Sequence, residues 1–224
     1  ITWDSIAHSE IPVYTNIFDK SRAYVYTKMA LTDQINNCQQ YVTEHNQQNA
    51  KQLDIIIFKE AVEHIISLSR ILAIDRGHAM LVGVKSSGRR SIARLSLYLQ
   101  GMETFEISIT RSYGFTEWRE DIKTLYKNCG VDNTPHGFII SDAQIVGSYQ
   151  LEDISSLLVT GEIPNLYERE EMDQIKQDMT QVEMLTNENP WDMFMERARH
   201  NLHIILVFSP YGSVFKNSMR DYPA

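Results

Sequence analysis

A turn that combines glycines with basic residues is the first place where this sequence suggests chemistry. The segment Gly83–Ser91 follows a short apolar run, Ala79–Val82, and precedes a stretch with helical periodicity. Its two glycines, Gly83 and Gly88, stand at the interval of the phosphate-binding loop G-x-x-x-x-G-K-[S/T]. In such loops, backbone N–H groups and a helix N-terminus hold phosphate oxygens. The segment therefore predicts a phosphate-binding turn between a strand and a helix.

Two side chains of this loop differ from the phosphate-loop pattern. Arg89 stands where the pattern has lysine, and Arg90 stands where it has a hydroxyl that binds magnesium, with Ser91 one position later. Arginine does not simply replace lysine, because its planar guanidinium is larger and reaches differently. An ordinary strand–helix turn that carries basic residues therefore stays open as an alternative. The candidate nucleotide-binding residues are Gly83, Val84, Lys85, Ser86, Ser87, Gly88, Arg89, Arg90 and Ser91.

An acidic residue ends a second apolar run. Phe138–Asp142 is typical of a short buried strand, and folds with a phosphate-binding loop keep a magnesium-directing carboxylate at such a strand end. Asp142 is therefore a candidate for the metal-directing acid and, through Mg²⁺, a weak metal ligand. The next residue, Ala143, cannot polarise water as a second acid would. The alternative role for Asp142 is to cap the turn that follows its strand.

The elements that must position these residues alternate between strand and helix patterns. This alternation predicts an α/β fold with a mostly parallel sheet covered on both faces. Ligands of such sheets lie at the carboxyl ends of the strands, where we expect the loop, Asp142 and Ser209 to meet. The predicted strands are Ala79–Val82, Glu103–Thr110, Phe138–Asp142 and Leu202–Phe208, and the predicted helices lie in 12–49, 58–72, 92–99, 116–128, 151–158 and most of 168–199, with a break near Asn189–Pro190.

Composition and charge narrow the function classes. The 224 residues carry a formal net charge of −8, so we expect neither nucleic acid nor a membrane surface as a partner. The longest apolar run is about five residues, against the ~20 that span a bilayer, and no leader pattern is visible, which favours a cytoplasmic location. Two cysteines are too few for a disulfide framework. Lys85, Arg89, Arg90 and Arg94 nevertheless concentrate positive charge around the loop, which favours an anion.

Five segments of this chain resemble the motor region of dynein heavy chains. Their order and spacing are similar to those of the fourth AAA+ module of the motor ring, in particular that of axonemal (ciliary) dyneins. The resemblance covers roughly Leu53 to Pro223. The segments are DRGHAMLVGVKSSGRRSIARLSLYL, SYGFTEWREDIKTLYKNCGV, FIISDAQI, LEDISSLLVTGEIPNLY and NLHIILVFSPYGSVFKNSMRDYP.

The resemblance implies a P-loop NTPase (AAA+) three-layer sandwich within a much longer microtubule motor. It implies that residues 1–52 form a helical segment leading into the module. It further implies that residues 53–224 form an AAA+ α/β subdomain that ends before its last strand and without its helical lid. The implied partners are adjacent AAA+ modules of the same heavy chain and, through the whole motor, the microtubule. The implied location is the cytoskeleton of the cilium or flagellum axoneme.

The resemblance also assigns roles to individual residues. It implies that Gly83–Ser91 is the Walker A loop and that Asp142 is the Walker B acid. Ser209 takes the sensor position that faces the outer phosphate, and Arg220 matches an arginine that such modules direct toward the nucleotide of a neighbouring module. The adenine pocket is assigned to Ile55, Ile56 and Phe58.

The departures from the family pattern shape the expected function. Lys85 and Ser86 replace glycines, Arg89 replaces the lysine, and Ala143 replaces the second acid. Because positioned charges supply most of the acceleration in phosphoryl transfer, we expect little or no hydrolysis. The expected function is a degenerate site that binds ATP or ADP, with or without Mg²⁺, for structure or regulation. The alternative is a nucleotide-free ring spacer that acts only through its interfaces.

Overall fold

The computed structural model of this protein describes residues 14–18, 27–182, 189–211 and 220. Its centre is a four-stranded sheet in the order β3-β6-β5-β4, and all three strand pairs are parallel. The strands are β1 (Tyr14–Thr15), β2 (Thr27–Lys28), β3 (Ala79–Val82), β4 (Glu103–Phe105), β5 (His136–Ser141) and β6 (Leu202–Phe208). The α-helices are α1 (Leu31–Gln48), α2 (Lys59–Leu72), α3 (Arg89–Gln100), α4 (Phe115–Gly130), α5 (Ser148–Thr160), α6 (Arg169–Val182) and α7 (Pro190–Asn201).

The two central strands separate two apolar cores, which gives the predicted three layers. Every residue of β5 and β6 is buried, as expected for parallel strands covered on both faces. Alternate side chains point to opposite faces. Phe138 and Ile204 pack with α4, α5 and α7 on one face, whereas Ile139 and Ile205 pack with α2 and α3 on the other. The parallel α/β sandwich predicted from the alternating pattern is therefore confirmed.

The prediction of a strand over Glu103–Thr110 is wrong beyond Phe105. β4 pairs with β5 only from Glu103↔His136 to Phe105↔Phe138. The chain then leaves the sheet, because Glu106 is held by basic side chains and the Ile107 carbonyl accepts a hydrogen bond from Gln144 Nε2 at 2.7 Å. Of the two alternating isoleucines beyond Phe105, Ile107 is buried and Ile109 is exposed, so the apolar pattern continues where the strand has ended.

The prediction of one helix across Pro12–Asn49 is also wrong in its first part. Strands β1 and β2 pair antiparallel there, and α1 begins only at Leu31. The part of the prediction over 12–13 and 19–26 lies outside the described residues. The predicted break near Asn189–Pro190 is confirmed, because the Asn189 side chain accepts a hydrogen bond from Trp191 N and caps α7. Within the described ranges, no helix combines the length and apolarity that crossing a membrane requires.

Candidate functional site

The loop between β3 and α3 has the backbone form of an anion cradle. Gly88, the residue that precedes α3, is left-handed with φ 76°. Ser86 adopts φ 64° although it is not glycine, a conformation that costs an L-residue of order 1–3 kcal/mol. The strand-end amide of Gly83 bonds the Phe208 carbonyl at 3.1 Å, so β6 holds the start of the loop. The turn therefore forms with serine at position 86.

The N-terminus of α3 is electrically unbalanced. No side chain caps it, and its first turn contains no acidic residue. Instead Arg89 and Arg90 stand there, and cations at this end of a helix are unfavourable because the helix dipole is positive there. A bound anion would satisfy the first N–H groups of the helix and offset both positive charges. The helix end is therefore better suited to a liganded than to a free state.

Arg89 is a brace between the loop and the sheet. Its Nη1 donates to the Phe208 carbonyl at the end of β6, and its Nη2 donates to the Val84 carbonyl at 2.9 Å. Its methylene stem covers Gly83, where an added Cβ would lie 3.3 Å from Arg89 Cδ. The side chain therefore turns back toward the strand ends. Its guanidinium fork reaches two carbonyls at once, which a lysine ammonium could not do with the same geometry.

Arg90 is anchored on the end of β5. Its Nη2 donates to Ser141 Oγ and, at 2.9 Å, to Gln144 Oε1. Gln144 is itself fixed by accepting from the Ser141 backbone N–H at 3.0 Å and donating to the Ile107 carbonyl at 2.7 Å. All of these acceptors are neutral, so the positive charge of Arg90 is not cancelled by a carboxylate.

Arg94 differs from the other cations around the loop. It makes a two-pronged ion pair with Glu106, with distances of 2.6 Å from Nε to Oε1 and 2.9 Å from Nη2 to Oε2. Lys51 adds a third contact to Glu106 at 2.6 Å. Burial would raise the pKa of Glu106, but hydrogen bonds from Arg94 and Lys51 bring it below its usual value. Arg94 therefore serves the fold and adds no charge for a ligand.

Asp142 joins the carboxyl ends of β5 and β6. Its Oδ2 accepts the backbone N–H of Ser209 at 2.9 Å, and its Oδ1 accepts that of Ala143 at 2.8 Å. Ser209 follows β6 directly, so the two predicted strand-end residues do meet at one rim. The carboxylate is thereby committed to two backbone donors.

The loop and Asp142 line one open cleft of about 440 Å³. Its walls carry three cations, Lys85, Arg89 and Arg90, against the two carboxylates Asp54 and Asp142. Lys85 is exposed, and its ammonium has no hydrogen bond or ion pair within the described ranges. In a chain of net charge −8, this cleft is therefore a local positive site suited to a phosphorylated ligand.

Not every predicted residue reaches the cleft. Of the nine loop residues, seven line it, whereas Gly83 and Val84 do not. Ile56 and Phe58 are 82% and 53% exposed. With Ile55 they stand outside the cleft wall, while their neighbour Asp54 lines it. Arg220 is helical and exposed, and its role toward a neighbouring module stays a prediction.

Sequence reasoning missed three polar participants, Asp54, Ser141 and Gln144. One local signal was present for two of them. Ser141-x-x-Gln144 is a capping box, in which the glutamine reaches back to the serine N–H. It marks a rigid turn directly after β5 and so predicts a fixed acceptor beside Asp142. Asp54 has no such signal, because it lies in the irregular segment between α1 and α2 and reaches the loop only through the tertiary fold.

The donor set of this cleft does not fit Mg²⁺. Magnesium in such sites is held by the loop hydroxyl and directed by a carboxylate. Arg90 takes the hydroxyl position, so the loop supplies a cation where the metal needs an oxygen, and each Asp142 oxygen already accepts one backbone N–H. No group of three or more metal-binding side chains occurs in the part of the chain that the structure describes. A metal ion would also face the three cations of the cleft.

A parallel sheet with a glycine-containing loop between its strand β3 and a helix, and an aspartate at the end of β5, two strands along in the sheet, defines an α/β P-loop domain. The family model of the P-loop containing dynein motor region D4 matches residues 53–224. The chain belongs to this family of dynein motor regions.

Curated relatives agree with this assignment. The chain is 38% identical over 191 residues to rat dynein axonemal heavy chain 1, an alignment covering 83% of this chain. It is 40% identical over 178 residues, or 76% of the chain, to human dynein axonemal heavy chain 8. It is 35% identical over 219 residues, or 96% of the chain, to the dynein-1-beta heavy chain of the flagellar inner arm I1 complex of Chlamydomonas reinhardtii. The alignments cover only 4–5% of these relatives' lengths.

Proposed function

We propose that this domain binds ATP or ADP in the cleft between Gly83–Ser91 and Asp142 and hydrolyses it slowly or not at all. The bound nucleotide acts as a structural or regulatory ligand of a dynein motor module. This proposal concerns the site itself and leaves the motor's own ATP turnover to other modules.

The observation that carries the proposal is the excess of positive charge at an uncapped helix end. Three cations line the cleft, and two of them, Arg89 and Arg90, occupy the first turn of α3 where no acid balances them. The left-handed residues Ser86 and Gly88 turn the loop around this point. A phosphate group supplies the missing negative charge and accepts from the free N–H groups.

Slow hydrolysis follows from how the polar groups are used. Arg89 donates to the Phe208 and Val84 carbonyls. Asp142 accepts from the amides of Ala143 and Ser209. The residue after Asp142 is alanine and has no group that could orient water. Phosphoryl transfer depends on charges that are positioned for the transition state, and these groups are positioned for the fold.

A nucleotide-free ring spacer is the second candidate, and one contact favours it. The guanidinium of Arg89 bridges the loop and β6 through protein carbonyls, so the loop has an internal support. In this function the cleft stays empty and the domain acts through its surfaces alone.

The wider setting of the domain is also part of the proposal. Relatives are named axonemal and flagellar dynein heavy chains, so we place this domain in a motor of the cilium or flagellum. Adjacent AAA+ modules of the same heavy chain are its direct partners, and the microtubule is reached through the whole motor.

Titration with fluorescent ATP and ADP tests the proposal. We expect saturable binding by the 224-residue chain and ATP turnover well below the ~1–100 per second of ordinary kinases. The test variant is Lys85→Gln, which removes a cation from the cleft. Its charge-matched control is Lys127→Gln, because Lys127 is exposed on α4 and does not line the cleft. Absence of binding by a folded protein would favour the spacer, and rapid turnover would contradict the slow-hydrolysis claim.

A further inference from the structure

We infer that the Arg90 guanidinium takes the place of Mg²⁺ in this cleft, so that the ligand is a metal-free nucleoside di- or triphosphate. This inference rests on the proposed function, because it concerns the ligand of the same site. It starts from the mismatch between the cleft's donor set and magnesium.

The first step is the fixed position of the Arg90 side chain. Nη2 is tied to Ser141 Oγ and Gln144 Oε1, two acceptors at the end of β5 beside Asp142. The Ser141–Gln144 capping box makes this anchor rigid. The guanidinium is therefore held between the loop and the strand end rather than swinging in solvent.

The second step is its remaining hydrogen-bonding capacity. Guanidinium has five N–H donors, and the two anchoring bonds leave those on Nε and Nη1 for a ligand. Arg90 is exposed on the side that lines the cleft. These N–H groups lie on different edges of the guanidinium, and each can donate a single charge-assisted hydrogen bond to a phosphate oxygen.

The third step is that Arg90 and Mg²⁺ would compete to neutralise the same phosphate oxygens. A metal ion in such sites neutralises phosphate oxygens and is held by a hydroxyl and a carboxylate. Here a permanent cation stands at the hydroxyl position, and the carboxylate of Asp142 accepts from two backbone amides. A nucleotide that carried Mg²⁺ would bring a second positive charge against Arg90, Arg89 and Lys85. Metal-free nucleotide is therefore the better complement.

Binding of fluorescent ADP to the intact chain, with saturating Mg²⁺ or with EDTA, tests the inference. We expect a Kd in Mg²⁺ that is no more than about threefold tighter than in EDTA, a difference well under 1 kcal/mol. A larger tightening by Mg²⁺ would overturn the inference and leave the proposed function standing. Failure to bind ADP in either condition would overturn both.

Variants of Arg90 separate its role from general charge. Arg90→Ser places a hydroxyl where the loop pattern has one, and we expect at least about tenfold weaker binding in EDTA. Arg90→Lys keeps the charge but loses the planar set of N–H donors. Its affinity for ADP should lie between those of the parent and of Arg90→Ser. Arg169→Ser removes an exposed arginine at the start of α6 and should bind like the parent.

Thermal unfolding identifies any variant that fails to fold. In that case Ser141→Ala, which removes one anchor and leaves the loop sequence intact, should weaken ADP binding in EDTA by about threefold or more. Unchanged affinity in folded Arg90→Ser protein, or in folded Ser141→Ala protein if Arg90→Ser does not fold, would overturn the role of Arg90.

Discussion

The backbone N–H of Ser209 lies 2.9 Å from Oδ2 of Asp142, so the ends of β5 and β6 are locked together at the rim of the cleft. The two residues are far apart in the sequence and come from adjacent parallel strands. The same carboxylate accepts the N–H of Ala143 through its other oxygen. Asp142 thus has a structural task whether or not a ligand is present.

Asp142→Asn should lower stability for this reason. An amide offers one acceptor oxygen and turns an NH₂ donor toward one of the two backbone N–H groups, which leaves that group without a partner. We expect a loss of about 1–3 kcal/mol in the free energy of unfolding, measured by urea denaturation. Asp132→Asn, at an exposed turn, is the control and should change little. Equal stability of the two variants would contradict the strand-locking role.

Arg89→Lys should destabilise the protein rather than restore a working phosphate loop. Lysine cannot span the Phe208 and Val84 carbonyls as the guanidinium fork does. We expect a loss of about 1–3 kcal/mol in urea denaturation and no rise in ATP turnover. Arg111→Lys changes an exposed arginine outside the cleft and controls for the substitution itself. A rise to ordinary turnover would show that Arg89 suppresses catalysis.

Lys85→Gln should weaken nucleotide binding without loss of stability. The Lys85 ammonium lines the cleft, is exposed, and has no partner in the described part of the chain. Removing a charged contact to phosphate costs about 1.5–3 kcal/mol, or roughly 10- to 150-fold in Kd. Fluorescent ADP titration measures the change, with Lys127→Gln as its control. Equal affinities would place the phosphates away from Lys85.

The fold should lose stability as the pH is lowered, and His78 is one cause. Burial, with the nearby His203 and Arg76, lowers the pKa of His78 from 6.5 to about 4. Its Nδ1 accepts the N–H of Ile204 at 3.0 Å, and protonation there removes this bond. The unfolded chain therefore binds more protons below about pH 6.5, so stability is greatest above that value and declines toward about pH 4.

His78→Asn should flatten part of this decline, because asparagine keeps an acceptor and does not titrate. Urea unfolding at a series of pH values checks this. His64→Asn, an exposed change on α2, should leave the slope unaltered. The slope will not vanish entirely, since burial also lowers the pKa of His203. A variant with the parent's full pH dependence would exclude His78 as its source.

The sheet could be predicted from sequence because its central strands are continuous apolar runs. β5 and β6 are buried throughout, and parallel strands of this kind carry a strong local signal. The prediction extends β4 too far because apolar alternation in Glu103–Thr110 continues past the last paired residue, Phe105, through Ile107, which is buried, to Ile109, which is exposed. Its true end depends on Glu106 and Ile107 being bound by residues from other elements.

The meeting of the loop and Asp142 at the rim of the cleft could be predicted from the sequence. The hydrogen-bond partners of the side chains there could not. Strand order brings the loop and Asp142 together by topology alone. The partners of Arg89 and Arg90 lie 119 and 51 residues away along the chain, and no local pattern specifies them. For the same reason, Arg94 was counted among the cations for an anion although Glu106 neutralises it.

Glu106 also gives the molecule a mechanical connection. It holds Arg94, one helical turn beyond Arg90 on α3, and it holds Lys51 in the segment between α1 and α2. This carboxylate therefore ties the segment that precedes α2 to the helix that starts at the phosphate loop. A change in the position of Lys51 and a change in the tilt of α3 both act on the same ion-pair cluster.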